Sequence, residues 1–136
     1  MIHLTINTDG GSRGNPGEAA IGIIIKQEQK EDIKLGKKIG IATNNVAEYA
    51  AVIEALNYVE NNYETCEVES QFVLDSELVV KQINKIYKIK DEKLRSMYEE
   101  IQAKLKKLKK YTFTHVLREK NKEADALVNA ALDGKM

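Results

Sequence analysis

The chain is short of several things, and each shortage excludes something. Its 136 residues include one cysteine, one proline and no tryptophan. A lone thiol, Cys66, cannot close an internal disulfide or build a cysteine metal site. It fits a reducing compartment, so a cytoplasmic location is expected, and Cys66 itself reads as a small residue beside a strand. No apolar run approaches the length of a membrane span, so no membrane partner is expected. Met1-Ile2-His3 leads directly into a strand pattern, which leaves no room for a signal peptide. Net charge is also missing: 21 basic residues balance 21 acidic ones. A typical nucleic-acid binder is basic, which weakens that class without excluding it, because acids gathered in a site can cancel a basic surface in the sum. The tyrosines are scattered and form no stacking platform for single-stranded bases. Repeats, low-complexity tracts and linkers are absent.

What remains is an ordinary soluble balance, 43% apolar and 31% charged, in a length that suits one domain over residues 1–136. Residues 2–9 alternate, with Ile2, Leu4 and Ile6 on one face and His3, Thr5, Asn7 and Asp9 on the other. A glycine-rich turn, Gly10 to Gly17, follows. Residues 19–27 read as a buried strand, and Ile33, Leu35, Ile39 and Ile41 as a third, interrupted by Gly36; connections this short make an antiparallel meander. Asn44 or Asn45 is a plausible N-cap for a helix to about residue 62. A fourth strand over 67–74, a short helix over 76–86, a helix from about Asp91, a fifth strand from Tyr111 to Leu117 and a last helix capped by Asn121 complete the order βββαβααβα. Right-handed crossovers then give an α/β fold whose mixed five-stranded sheet carries helices. The first and fourth strands can be parallel neighbours. No apolar stripe is left over for an interface, so a monomer without an obligate protein partner is expected.

Two strand candidates run straight into a carboxylate, Asp9 and Asp75, and ligands in open α/β sheets gather beyond such ends. Glu48 and Asp125 stand near the starts of two helices. Four converging carboxylates repel one another and are costly to desolvate; a pair of divalent cations removes both penalties. The loop Gly10–Gly17 lacks a Gly-Lys-Ser/Thr ending and precedes a strand, so it is not a nucleotide phosphate loop. It reads either as a wide hairpin connection or as bare backbone that lets a bulky ligand approach Asp9, with Arg13 near its phosphates. His3 and His115 read as structural strand residues. The lysines at 104, 106, 107, 109 and 110 read as a solvated helix face, with phosphate tracking as the alternative.

Thr8-Asp9-Gly10-Gly11-Ser12-Arg13-Gly14-Asn15-Pro16-Gly17, Thr43-Asn44-Asn45-Val46-Ala47-Glu48-Tyr49, Asp75-Ser76 and Glu123-Ala124-Asp125 together resemble type 1 ribonuclease H, in order and in spacing, over essentially the whole chain. The resemblance implies the ribonuclease H-like fold, with sheet order 3-2-1-4-5, strand 2 antiparallel and helices on both faces. It implies an endonuclease that cuts the RNA strand of an RNA–DNA hybrid, leaving 5′-phosphate and 3′-hydroxyl ends. Asp9, Glu48, Asp75 and Asp125 would be its catalytic, metal-binding acids. Two Mg²⁺ ions about 3.5–4 Å apart, or Mn²⁺ in their place, would activate a water and stabilise the leaving oxygen. Asp9 would bridge both ions, and Glu48 would also reach the 2′-hydroxyl beside the cut.

Gly10, Gly11, Ser12, Asn15, Asn44 and Asn45 would contact the wide minor groove of the hybrid duplex, with Arg13 near its phosphates. Two departures from the family accompany this. The segment Ile86 to Lys93 is too short for the lysine-rich protrusion of many bacterial relatives, and strand 1 starts too early for a separate hybrid-binding domain, so weaker substrate binding is expected. The loop before the last helix lacks a histidine, and Arg118 would take its phosphate-contacting place. The competing readings are a binding module of the same fold without catalysis, on a hybrid or on double-stranded RNA, and a related two-metal enzyme such as a double-strand RNA nuclease or a recombination nuclease.

Overall fold

The computed structural model describes residues 1–135. The elements are β1 (Ile2–Gly14), β2 (Gly17–Lys26), β3 (Ile33–Ala42), α1 (Asn44–Asn62), β4 (Val68–Leu74), α2 (Glu77–Ile83), α3 (Glu92–Leu105), β5 (Lys110–His115) and α4 (Lys122–Leu132). The sheet order is β3-β2-β1-β4-β5. β2 runs antiparallel to β1 and β3, while β1, β4 and β5 are parallel, as the element order requires.

The alternation in β1 sends Leu4 and Ile6 into the main core, together with Ile21, Ile23 and Ile25 of β2 and the buried stripe Tyr49, Val52, Leu56 and Val59 of α1. The other face of β2 carries Ala20, which packs with Val128, Ala131 and Leu132 of α4. β2 is therefore covered on both faces, which is why its sequence is a continuous apolar run rather than an alternating one. α3 packs behind α1, and its Leu94, Ile101 and Leu105 join the same core. Phe72 of β4, fully buried, stacks on Phe113 of β5 with ring centroids 4.4 Å apart.

Three local expectations are corrected. The glycine-rich segment is not a wide loop: β1 stays paired with β2 down to Gly14 opposite Gly17, so only Asn15 and Pro16 form the turn. Glycines are depleted from strands and thus read as loop, but here close neighbours require them. A Cβ on Gly10 would overlap the Ala47 carbonyl of α1, and one on Gly17 the Arg13 carbonyl. α1 is capped by Thr43 rather than by Asn44 or Asn45; the Thr43 hydroxyl oxygen accepts from the Val46 N–H at 3.2 Å. Asn121 occupies the cap position of α4 but makes no cap bond. Asp91, in contrast, does cap α3, accepting from the Leu94 N–H at 2.9 Å.

The lysine run is placed far from the strand ends that carry acids. Lys104 and Lys107 pair with Glu60 at 3.6 and 2.6 Å, and Lys110 lies opposite Glu69, which lies opposite His3. From His3 to Asp9 the strand climbs roughly 20 Å, so these charges sit at the opposite end of the sheet from Asp9.

The aromatic stack gives a direct test of the core. Phe72→Ala is expected to destabilise the fold by about 3–5 kcal/mol, read as a fall in the urea midpoint at constant slope. A loss below about 1 kcal/mol would mean that the β4–β5 contact is not part of the cooperative core.

Candidate metal and nucleic-acid site

Three elements deliver three carboxylates to one point. β1 carries Asp9 just past the Thr8–Leu74 pairing, and Asp75 follows Leu74 directly, so parallel pairing sets the two acids side by side. Glu48 comes from the second turn of α1, and its Oε1 accepts the Gly10 N–H at 2.7 Å. That bond exists because glycine at position 10 lets the helix backbone lie against the strand. Ligand oxygens of Asp9, Glu48 and Asp75 all lie within 4.8 Å of one another. Asp125, in the first turn of α4, lines the same groove but stands outside that group of three. Arg118 Nη2 reaches to 3.8 Å of its carboxylate and is otherwise exposed.

The electrostatics are those of an uncompensated acid cluster. Burial, then the charges of Asp75 and Asp125, push Asp9 from its ordinary 3.8 up to about 8. Glu48 is driven well above the usual carboxylate range by burial first and by Asp9 and Asp75 next, against the pull of its Gly10 bond. Asp75 is raised by burial, with Arg118 pulling the other way. Asp9 therefore holds a proton near neutral pH unless a cation takes its place, and the same forces push Glu48 and Asp75 in that direction. The donors are all carboxylate oxygens, a hard set without cysteine or histidine, which suits Mg²⁺ or Mn²⁺.

Beside the acids runs a groove of about 480 Å³. Gly10, Gly11, Ser12, Arg13, Asn44, Asn45 and Arg118 all line it. Asn15 does not; it supports the groove from behind, its Oδ1 accepting the Asn44 N–H at 2.9 Å. Asn44 Oδ1 in turn accepts the Ser12 N–H at 2.9 Å. With both side-chain oxygens engaged, the amide NH₂ groups of Asn15 and Asn44 have no protein acceptor among the described residues, so this rim offers donors to a ligand. Arg13 is less available than its position in the sequence suggests, because its guanidinium pairs with Asp133 at 2.7 Å beyond the end of α4. His115 ends β5 opposite Leu74 and lies outside the groove lining.

Sequence reasoning missed two contributors. Gly22 of β2 lies opposite Asp9, and a Cβ there would overlap the Ala124 carbonyl of α4. A glycine inside the apolar run Ala19 to Ile25 was the available signal, since strand glycines mark close backbone approach. The second is Asn7, whose side-chain amide donates to Asn121 Oδ1 at 3.0 Å. Its place on the Asp9 face of β1 was the only hint. Gly10 also changes meaning: the space it leaves is filled by α1, whereas Gly11 has only Val128 nearby and is the glycine that leaves room for a ligand.

The raised carboxyls have a measurable consequence. With Asp9 near 8 when folded and 3.8 ordinarily, the folded chain binds more protons than the unfolded chain between those values. Without divalent metal, stability should therefore fall as pH rises from about 4 to about 8. Asp9→Asn should melt on the order of 5 °C higher at pH 8 in chelator and lose much of that slope. An unchanged melting temperature would mean that Asp9 is not strained by its neighbours.

The model of the family described as reverse transcriptase-like matches residues 7–131. The bifunctional protein Rv2228c of Mycobacterium tuberculosis is 36% identical over 134 residues, which are 97% of this chain and 36% of that protein, so the chain spans about a third of this relative's length. Ribonuclease HI of Halobacterium salinarum is 39% identical over 127 residues, covering 92% of the chain and 62% of that protein. The crystal structure of that organism's RNase H1 superposes with a TM-score of 0.89 at 36% identity, over 97% of this chain and 98% of the other. LC11-RNase H1, isolated from compost and crystallised with an RNA/DNA hybrid, gives 0.88 at 39% identity, over 96% of this chain and 97% of the other. With an acid cluster at the carboxyl ends of β1 and β4, a donor-lined groove beside it and these likenesses along almost its full length, the chain belongs to the type 1 ribonuclease H family.

Proposed function

We propose that this chain hydrolyses the RNA strand of RNA–DNA hybrids, leaving 5′-phosphate and 3′-hydroxyl ends. The observation that carries the reading is the meeting of Asp9, Glu48 and Asp75 within 4.8 Å on three separate elements, at the mouth of a groove lined by amide donors. The hybrid held by LC11-RNase H1 supports the choice of substrate.

Asp9, Glu48, Asp75 and Asp125 would hold two Mg²⁺ ions, or Mn²⁺. Bound there, the ions supply the Lewis acidity that lowers the pKa of an attacking water and offsets charge on the departing 3′-oxygen. The remaining work falls to the protein. Glu48, fixed by the Gly10 N–H, keeps one carboxylate oxygen in a set orientation and the other free for a cation or a 2′-hydroxyl. Asn44 and Asn45, with Asn15 holding the Asn44 backbone from behind, present donors to the acceptors of a minor groove, where the ribose oxygens of one strand mark it as RNA. Gly11 lets a sugar approach the acids. Arg118, exposed beside Asp125, is placed to meet a phosphate. Recognition of this kind reads shape and hydroxyls, so sequence preference is expected to be low. We further propose a monomer acting in the cytoplasm, in keeping with a single thiol.

A labelled RNA–DNA hybrid, an RNA duplex and a DNA duplex, each with Mg²⁺ or Mn²⁺ and with chelator, test the reading. Cutting is expected only of the hybrid's RNA strand and only with metal, and Asp9→Asn or Glu48→Gln should lower kcat by at least about 1,000-fold, or about 4 kcal/mol. Undiminished cleavage by either variant would remove these acids from the chemistry. Binding of the hybrid by the wild-type chain without metal-dependent cutting would favour a non-catalytic module.

A further inference from the structure

Asn121 stands where a helix normally receives its side-chain cap, yet it caps nothing and is 1% exposed. Its amide is used sideways. Nδ2 donates to the Thr8 carbonyl at 2.9 Å, and Oδ1 accepts from Asn7 Nδ2 at 3.0 Å. Both partners belong to β1 and immediately precede Asp9. On the helix side, the backbone carbonyl of Asn121 accepts the Asp125 N–H at 3.2 Å. A continuous line of hydrogen bonds therefore runs from the strand residue before one acid, through a single buried side chain, to the backbone of another acid. The Ala124 carbonyl over Gly22 limits how near α4 comes to the sheet, and Val128, Ala131 and Leu132 pack against Ala20. Apolar packing is non-directional; the Asn121 amide adds directional bonds to two successive residues of β1, at the N-terminal end of the helix that carries Asp125.

We propose that Asn121 is a positioning residue of the acid cluster. It sets Asp125 against Asp9, and so governs how tightly the carboxylates hold a divalent cation, while touching neither cation nor substrate. Asn7 assists by holding the amide in the one orientation that donates to Thr8. The proposal rests on the reading of these acids as a metal site. Partners that orient metal ligands from behind typically change affinity 10- to 100-fold when removed.

The test is calorimetric titration of Mn²⁺ into the full chain without substrate, with folding checked by melting in chelator. Asn121→Ala is expected to weaken Mn²⁺ binding about tenfold, and Asn7→Ala, which spares the Thr8 bond, to weaken it less. Phe72→Ala, destabilised at the β4–β5 contact, separates positioning from general loosening and should leave Mn²⁺ affinity unchanged. In cleavage assays the asparagine variants should need more metal for half-maximal rate, with kcat recovering at saturating metal. If Asn121→Ala fails to fold, Asn7→Ala carries the test. Mn²⁺ affinity within twofold of wild type in the folded asparagine variants, or an equal loss in Phe72→Ala, overturns the proposal. A wild-type chain that neither binds Mn²⁺ nor cuts hybrid with it overturns the metal-site reading itself, and the positioning role with it.

Discussion

How closely two helices can lie against one strand decides the rest of this structure. β1 is paired on both edges and covered on both faces, by α1 on one side and α4 on the other. Aspartate is a short side chain, so acids from different elements meet only if their backbones nearly touch. Gly10 admits α1 and Gly22 admits α4, the first next to Asp9 in the strand and the second opposite it. The gathered charges oppose this arrangement, since burial and mutual repulsion raise the proton affinity of Asp9, Glu48 and Asp75 alike. The hydrophobic packing of α1 on β1 and β2 holds the carboxylates where they would not otherwise stay, a local conflict of the sort that marks functional sites.

Much of the fold was legible because its cues are local. Alternation in residues 2–9, the double-sided apolar run of β2 and the helical stripe of α1 each follow from how one element meets the core, and their order gave a mixed sheet, while the full strand order came from the family resemblance. The acids were legible for a related reason: a strand that ends in a carboxylate shows itself in a few consecutive residues. What was hidden depends on partners distant in sequence. The stretch from Gly10 to Gly14 looks like a loop until α1 is seen lying on it. Asn121 looks like a cap until Thr8, 113 positions away, is found to hold its amide. Arg13 looks like a phosphate ligand until Asp133 is found beside it. In each case the local propensity was real and a tertiary contact outweighed it.

The cap of α1 shows the same rule in a milder form. Threonine and asparagine are both good caps, and three of them stand in a row at 43–45. Thr43 takes the role because both asparagine neighbours are needed further along: Asn44 ties the start of the helix to Ser12 across the hairpin, and Asn45 lines the groove.

The rim of the groove is almost free of net positive charge. Among the described residues Arg13 and Arg118 are the only cations lining it, and each already faces a carboxylate; the lysine run at 104–110 lies at the far end of the sheet. A duplex docking against neutral amides and bare backbone displaces few condensed counterions. Within the groove itself, fit and hydrogen bonding would then outweigh counterion release, and the contacts made there would depend on ionic strength less than those of a lysine-coated surface.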